Sequence, residues 1–384
     1  DKYDVKILSQ RWGNTRYGYL KDHEESELTS KIIPNLTTKP KVWIQITVPN
    51  EFQPVGKYNI GFTAGIETTI CAPEWIDGVN RMNITYVSSE HAKKVFEESS
   101  FEQKDQQTNQ VQRIIKLQKP VEVLFEGADI ELYKPIETKE ITSIDLSSIK
   151  EDFAYLFVGH WLQGDIGEDR KNVGLLIKAF YETFKNKMKK PALILKTSMA
   201  GTSYMDREEI LKKIAAIRQT VNAVNIPNVY LLHGEFADNE INQLYNHPKV
   251  KAMVNLTKGE GFGRPLLEFS LVNKPIITTN WSGHIDYLNP EFTTLLPGTM
   301  TKVHPSAANG MLIQEAEWFS VDTGHVGHYL KDVFENYKGY TEKAKRQGFQ
   351  SRTKFSYDAM KEKLSKLFEV KIPDFPKQVQ LQLP

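Results

Sequence analysis

Two glutamates beside a glycine-rich loop are the residues best suited to bind a ligand. Glu260 and Glu268 have seven residues between them, and Gly259, Gly261 and Gly263 surround the first of them. The glycines are expected to let the backbone turn sharply into a helix, whose first unpaired N–H groups favour an anion such as phosphate. The two carboxylates can accept hydrogen bonds from hydroxyl groups. The segment therefore predicts a site for a ligand that carries phosphate and hydroxyl groups.

A strand must precede this loop and a helix must follow it. Residues 250–256 are predicted to form a buried strand, and Pro265 suits the first turn of a helix, where its missing N–H costs nothing. Short apolar strands alternate with helical segments along the chain, which is the pattern of parallel α/β sheets. The predicted strands are 5–9, 42–48, 58–62, 84–87 and 121–125 in the first part, and 155–158, 192–195, 229–232, 250–256 and 275–278 in the second.

Two polar segments interrupt the alternation. Residues 99–113 are rich in Ser, Gln, Asp and Asn and are predicted to form an exposed loop, and residues 136–151 are predicted to link two sheets. Ser88 and Ser89 precede an amphipathic helix and predict an N-cap. Ligands of open parallel sheets bind beyond the carboxyl ends of the strands, so two such sheets predict a cleft that contains the glycine-rich loop.

The composition limits the classes of function. The chain has 384 residues, 40% of them hydrophobic, and a formal net charge of +1, so it can form two domains and shows no overall charge suited to nucleic acid or an anionic membrane. Cys71 is the single cysteine, which excludes an internal disulfide and fits a reducing compartment. The sequence contains no apolar run of about 18 residues and no signal-peptide pattern at its start. These features predict a cytoplasmic protein without a transmembrane segment.

The segment from Glu260 to Glu268 resembles the Glu-x7-Glu signature of retaining glycosyltransferases with the GT-B fold, especially the family 4 enzymes, also called glycosyl transferases group 1. The Gly-Phe-Gly-Arg-Pro between the two acids and the later Asn-Lys-Pro-Ile-Ile agree with that family's pattern. The resemblance implies an α/β protein with two Rossmann-like domains that face each other across a cleft. The expected parts are an N-terminal acceptor-side domain (1–135), a linker (136–151), a C-terminal domain that binds a nucleotide sugar (152–354), and a helix that crosses back with a tail (355–384).

The resemblance also implies a set of residues that bind the donor diphosphate. Gly159 and His160 end a predicted strand and are similar to the family's glycine turn, and Lys171 is the first candidate phosphate ligand. The family commonly has arginine directly after that glycine. Because histidine is a weaker and pH-dependent cation, Arg170 or Lys196 is expected to share its role.

The two glutamates of the signature have separate expected roles in the family. Glu268 should accept hydrogen bonds from the ribose hydroxyls, whereas Glu260 should bind hydroxyls of the transferred sugar. The N–H groups of Gly261, Phe262 and Gly263 are expected to lie near that sugar. Together these residues would form the centre of the donor site.

Three further residues complete the expected site. Phe236 follows a predicted strand and either stacks on the nucleobase or packs at the start of the next helix. Gly283 would permit close approach of the backbone to the donor. Glu67, in the N-terminal domain, is the candidate for an acceptor-side or catalytic supporting role. A bound metal ion or other cofactor is not expected.

The implied activity is transfer of a sugar from a nucleotide sugar to a hydroxyl acceptor with retention at the anomeric carbon. The acceptor could be a saccharide, a lipid, a protein or a nucleic-acid base. Alternatives are a bacteriophage-type glycosyltransferase that acts on nucleic-acid bases, a non-catalytic module that binds sugar nucleotides, and a sugar phosphorylase. GT-B domains usually have a strand, a loop and a helix before a segment like residues 3–8, so the N-terminal domain is expected to lack these elements.

Overall fold

The structure, a computed structural model, describes residues 3–10, 20, 25–199 and 201–375. Residues 376–384, the end of the predicted C-terminal tail, lie outside this part of the chain. In chain order the N-terminal elements are β1 (Ile7–Leu8), α1 (Ser26–Thr29), β2 (Ile32–Ile33), β3 (Val42–Ile46), β4 (Tyr58–Thr63), α2 (Pro73–Asn80), β5 (Ile84–Val87), α3 (Glu90–Glu98), β6 (Ser100–Lys104), β7 (Val111–Lys116) and β8 (Val121–Val123).

The first sheet is parallel and contains β3, β4, β5 and β8 in that spatial order. Helix α2 connects β4 to β5, and α3 follows β5, as expected for parallel strands that need crossover connections. Strands β1 and β2 form a separate parallel pair. The absence of a first strand, loop and helix from this domain stays a prediction.

Residues 99–113 are not the exposed loop that their composition predicts. Most of them belong to an antiparallel hairpin formed by β6 and β7. The Asp105 carboxylate accepts hydrogen bonds from the N–H groups of Gln107 and Thr108 and so stabilises the turn between the strands. Both faces of the hairpin are largely exposed, so the sequence lacks the alternation of apolar and polar residues that identifies a half-buried strand.

The second sheet is larger and lies in the C-terminal half. Its elements are β9 (Ala154–His160), α4 (Val173–Phe184), β10 (Ala192–Ser198), α5 (Tyr204–Gln219), β11 (Val229–Leu232), α6 (Asp238–Asn246), β12 (Val250–Asn255), α7 (Arg264–Ser270), β13 (Ile276–Thr279) and β14 (Thr294–Leu296). Six parallel strands are arranged in the order β11-β10-β9-β12-β13-β14. The direction of winding therefore reverses between β9 and β12, which is the arrangement of a dinucleotide-binding Rossmann domain.

Apolar side chains cover both faces of this sheet because side chains alternate along each strand. Leu193 and Leu195 pack on one face with α4 and α5, whereas Ile194, between them, packs on the other face with α6 and α7. The remaining elements are the antiparallel strands β15 (Gly298–Lys302) and β16 (Glu317–Val321), followed by α8 (Thr323–Glu335), α9 (Tyr337–Lys354) and α10 (Tyr357–Lys371).

Two extended apolar contacts help to join the halves of the chain, in addition to residues 136–151. Helix α10 packs on the first sheet, where Leu364 and Phe368 contact the cluster formed by Ile60 and Tyr86. The second connection is the segment 298–321, which contains β15 and β16 and is called here the bridging hairpin. Within it, Val303, Leu312 and Trp318 are buried in the same core as Cys71 and Trp75 of the N-terminal half. The hairpin therefore attaches one domain to the other through an apolar surface.

No helix in the described part of the chain is long and apolar enough to cross a membrane.

Candidate functional site

A cluster of two basic and two acidic side chains lies where the two domains meet. The Nζ of Lys171 is 2.5 Å from Oε1 of Glu260, and Nη1 of Arg170 is 3.5 Å from Oε2 of the same carboxylate. Nη1 of Arg170 is also 3.3 Å from Oε1 of Glu67, which follows β4 in the N-terminal domain. The cluster therefore combines three separate segments of the chain.

The sheet topology explains why these segments meet. Lys171 follows β9 and Glu260 follows β12, and these two strands are neighbours at the point where the winding reverses. The connections after them diverge to opposite faces of the sheet, which leaves a crevice at their carboxyl ends. Lys171 and Glu260 face each other across this crevice.

Ion pairing within the cluster opposes the effect of burial on Glu260 and Lys171. Burial alone would raise the pKa of Glu260, but the cations of Lys171 and Arg170 outweigh it and lower that pKa to about 2. Burial lowers the pKa of Lys171, and the Glu260 carboxylate opposes this change. Ion pairs removed from water are costly to assemble, and strongly perturbed groups of this kind concentrate at functional sites.

The glycines of the loop allow the two domains to approach closely. A Cβ atom at Gly259 would lie 2.0 Å from the carbonyl oxygen of Glu67, and one at Gly261 would lie 2.6 Å from that of Ala64. Of the three loop glycines, Gly263 alone has a left-handed backbone, with φ of +89°. A left-handed backbone is therefore needed at Gly263 alone, and Gly259 and Gly261 also make room for the N-terminal backbone.

A second loop supports the backbone of Glu260. Its N–H donates to Oγ of Ser282 at 2.9 Å, and its carbonyl accepts from the N–H of Gly283 at 2.9 Å. A Cβ atom at Gly283 would lie 2.0 Å from the carbonyl oxygen of Gly261. The backbone that approaches Gly283 closely in the structure is thus that of Gly261.

The loop offers backbone donors rather than the side chain of Phe262. The Phe262 ring is buried and packs on Tyr287, with 5.0 Å between the ring centroids. Among the described residues, none accepts a hydrogen bond from the N–H groups of Gly261, Phe262 and Gly263. These three amides are therefore available to a ligand.

Glu268 lies in α7, one turn after Arg264, and Nη2 of that arginine is 3.3 Å from its Oε1. Only 8% of Glu268 is exposed. Burial raises the pKa of Glu268 to about 7, although Arg264 and a hydrogen bond from Tyr133 oppose the change. Glu268 is thus poised to change its protonation state near neutral pH.

The residues at the end of β9 lie next to the cluster. A Cβ atom at Gly159 would be 3.5 Å from Cε of Lys171. Nδ1 of His160 is 3.0 Å from Oγ of Ser198, at the end of β10. Desolvation lowers the pKa of His160, and the cations of Lys171 and its neighbours lower it further. Its surroundings therefore disfavour the charged form of His160.

Lys196 does not join the cation cluster. Its Nζ donates to the carbonyl oxygen of Gly234 at 2.8 Å and lies 4.6 Å from the centre of the Phe236 ring. Burial lowers the pKa of Lys196, and Glu235 opposes this change. The structure thus pairs Lys196 with the loop after β11, where Phe236 also packs against the core.

Sequence reasoning missed several residues that surround the loop. Ser282 supports it from the C-terminal domain, and Ser88 and Ser89 contact it from the other domain. Asp286 lies beside these serines and accepts from the N–H of Glu90. Lys258 is also buried, with its Nζ 3.9 Å from Oε2 of Glu168. Lys258 directly precedes Gly259 and Glu260, and this position is the one sequence signal that could have identified it. No local sequence pattern marks the other four residues as part of the site.

Comparison with solved structures identifies the architecture. HepE from Anabaena, in complex with UDP and glucose, is 13% identical with a TM-score of 0.55, over 81% of this chain and 71% of that one. A glycosyltransferase from Rickettsia africae is 12% identical with a TM-score of 0.55, over 83% and 71%. The N-terminal domain of Candida albicans trehalose-6-phosphate phosphatase is 13% identical with a TM-score of 0.54, over 94% and 77%.

No family model matches the sequence, and no curated protein matches it significantly. At the identities found, likeness to the solved structures concerns the fold alone. The predicted α/β class with two Rossmann-like domains facing across a cleft, the GT-B fold, is confirmed.

Proposed function

We propose that the protein is a glycosyltransferase that moves a sugar from a nucleotide-sugar donor to a hydroxyl acceptor, with retention at the anomeric carbon. The observation that carries the proposal is the buried cluster of Lys171, Arg170 and Glu260 beside three free amides of the glycine-rich loop. Cations, amide donors and a carboxylate are the groups that bind phosphates and sugar hydroxyls. The cluster lies in the crevice where Rossmann domains bind nucleotides.

Lys171 and Arg170 would bind the diphosphate of the donor. The leaving diphosphate gains negative charge in the transition state, and fixed cations lower the barrier because they need no reorientation. In the structure these cations are balanced by Glu260 and Glu67. A diphosphate would therefore compete with Glu260 for Lys171, which frees the Glu260 carboxylate to accept hydrogen bonds from the sugar.

The remaining groups would bind the nucleoside and assist at the reacting carbon. Glu268 would accept from the ribose hydroxyls, and Phe236 with Lys196 would contact the base. His160 would donate a neutral hydrogen bond near the phosphates or the sugar. Glu67 reaches the cluster from the N-terminal domain, so it would position the acceptor or support Arg170.

We propose retention without a protein nucleophile and without a metal ion. The acceptor hydroxyl would attack the face from which the diphosphate departs, and a donor phosphate oxygen would take its proton. Lys171 and Arg170 would supply the positive charge. Among the described residues, no group of three or more His, Cys, Asp and Glu side chains is arranged to hold a metal, but metal independence stays a prediction.

A second candidate acceptor is nucleic acid, because of a groove on α9. The groove is lined by the aromatic rings of Phe292 and Phe349 and by Lys345, Arg346 and Lys354. Aromatic surfaces combined with cations are typical of proteins that bind single-stranded nucleic acids. An oligonucleotide should therefore be tested as an acceptor, together with saccharides and lipids.

Binding of nucleotide sugars is the first test. UDP and UDP-glucose are the first compounds because HepE was solved with UDP and with UDP-glucose, followed by the ADP, GDP and dTDP analogues. A ligand that binds only the folded protein raises its melting temperature. We expect one nucleotide family to stabilise the wild type and to lose this effect in Glu268→Ala, whereas the exposed Glu335→Ala variant should respond as the wild type does.

Hydrolysis and transfer then separate an enzyme from a binding module. Slow hydrolysis of the stabilising donor, absent from Lys171→Met, would support the transferase. Retention is tested by the anomeric configuration of the product on NMR. Binding without turnover by any acceptor would favour a non-catalytic module, and turnover that requires inorganic phosphate would favour a phosphorylase. No stabilisation by any nucleotide at millimolar concentration would contradict the donor site.

A further inference from the structure

Two serine hydroxyls of the N-terminal domain bind a single carbonyl in the glycine-rich loop. Oγ of Ser89 donates to the carbonyl oxygen of Gly261 at 2.6 Å, and Oγ of Ser88 lies 3.1 Å from the same oxygen. Both serines are buried. A carbonyl oxygen has two lone pairs, so the Gly261 carbonyl can accept from both hydroxyls of the opposite domain.

Capping of α3 accounts for only one of these serines. Oγ of Ser89 accepts from the N–H of Ala92 at 3.1 Å and so forms the predicted N-cap. Ser88 has no such role, since its hydroxyl lies between the carbonyl oxygens of Ala64 and Gly261, at 3.0 and 3.1 Å. One hydroxyl proton must serve both carbonyls. Ser88 therefore bridges Ala64 of its own domain and Gly261 of the other, and does not cap the helix.

The bonds to Gly261 fix the direction of the next amide. A trans peptide unit is planar, and its N–H points away from its C=O. Because the Gly261 carbonyl is directed at the N-terminal domain, the N–H of Phe262 is directed away from it. Without these bonds the peptide unit between Gly261 and Phe262 could rotate easily, because glycine allows more backbone conformations than other residues do. The two serines thus select one orientation for a donor that has no acceptor within the described chain.

Neighbouring contacts join the same two domain surfaces. Oδ2 of Asp286, in the C-terminal domain, accepts from the N–H of Glu90 at 2.8 Å, directly after Ser89. The rings of His91 and Trp281 also meet, with centroids 4.7 Å apart. Separation of the domains would break all of these contacts together with the bonds to Gly261.

We propose that Ser88 and Ser89 are positioning residues that couple domain closure to the geometry of the donor-binding loop. The N–H of Phe262 is aligned toward the donor only while the serines hold the Gly261 carbonyl. In the proposed function the nucleotide would contact the C-terminal domain and would need no such alignment. The inference rests on the proposed glycosyltransferase function. It assigns the effect of domain closure to the transfer step rather than to binding of the nucleotide.

Ser88→Ala is the decisive variant because it leaves the cap of α3 in place. Loss of one buried hydrogen bond of about 1.4 kcal/mol corresponds to about tenfold in rate. We expect kcat to fall about tenfold while the Kd for UDP changes less than twofold. Ser88→Thr, which keeps the hydroxyl, should restore most of the rate. Ser99→Ala is the matched control, since Ser99 is also buried and bonds only within its own domain.

Hydrogen–deuterium exchange gives a readout that does not need turnover. In Ser88→Ala, amides of residues 259–264 should exchange faster than in the wild type and in Ser99→Ala. If the wild type turns over no donor, the proposed function fails, and exchange alone decides the inference. Unchanged exchange in this loop would overturn it, and so would a wild-type kcat in Ser88→Ala. Equal loss of UDP affinity and kcat would also overturn it, because that result indicates general damage to the site.

Discussion

The buried carboxyl group of Glu268 should make the stability of the protein depend on pH. Burial raises its pKa to about 7, compared with 4.5 for the ordinary side chain. Between these two pH values the folded chain binds more protons at this site than the unfolded chain does. The contribution of Glu268 to stability is therefore fully present below pH 4.5 and is lost as the pH rises through 7.

The size of this effect follows from the two pKa values. At about 1.4 kcal/mol per pKa unit, the difference between 4.5 and about 7 corresponds to about 3 kcal/mol. Glu268→Gln has the same shape but carries no charge at any of these pH values. We therefore expect the free energy of unfolding of Glu268→Gln, relative to the wild type, to increase by up to about 3 kcal/mol from pH 4.5 to pH 8.

Urea unfolding followed by tryptophan fluorescence, repeated from pH 4.5 to 8, measures this difference. Glu335→Gln carries the same substitution at an exposed position at the end of α8 and should follow the wild type within experimental error. A difference between Glu268→Gln and the wild type that stays constant across this range would refute the reasoning. A difference that decreases with pH would show that Arg264 dominates over burial.

The same carboxyl group should link nucleotide binding to proton release. Ribose hydroxyls donate to a carboxylate, so binding requires the ionised form of Glu268. Calorimetry of UDP binding at pH 6 in two buffers of different ionisation enthalpy should detect release of a proton by the wild type and none by Glu268→Gln. Affinity should rise with pH up to about 7, by at most about tenfold per pH unit.

Three other substitutions test the packing around the site. Lys171→Met should destabilise the fold by about 3 kcal/mol, because it leaves the Glu260 carboxylate buried without its partner. Adding Glu260→Gln should recover most of this stability in urea unfolding. A double variant no more stable than the single one would contradict the ion-pair argument. Gly259→Ala should abolish donor turnover because its Cβ would meet a backbone carbonyl at 2.0 Å, whereas Gly339→Ala, with open space around it, should keep wild-type turnover in the same assay. Trp318→Ala should cost about 3–5 kcal/mol and lower the melting temperature of the bridged domains, and an unchanged melting temperature would show that the bridging hairpin does not hold them.

Local patterns in the sequence were sufficient to predict most strands of the two parallel sheets. The predicted strand at 84–87 matches β5, and the predicted strand at 229–232 matches β11. Continuous apolar runs bounded by turns are strong signals because buried parallel strands need them on both faces. The hairpin of β6 and β7 gave no such signal, since it is exposed on both faces and its residues are mostly polar.

Contacts across domains could not be predicted from local patterns. Ser88 and Ser89 were assigned to a helix cap, and the structure shows that both also bond to Gly261, 173 and 172 positions away. Arg170 or Lys196 is predicted to share the phosphate role, and the structure places Arg170 beside Glu260, whereas the Lys196 ammonium donates to Gly234. The N–H of Phe262 is predicted to lie near the transferred sugar, and the structure adds that its ring belongs to the core.

By itself the sequence determined the alternation of strands and helices and the acids that flank the glycine-rich loop. These features depend on periodicity and spacing within about ten residues, which the chain encodes locally. Only the tertiary structure decided that Lys171 pairs with Glu260, that Glu67 pairs with Arg170, and that Gly259 and Gly261 allow close approach of the N-terminal backbone. The reason is that pairing of charges and backbone clearance depend on which strand ends become neighbours, and that neighbourhood exists only after both sheets have formed and docked.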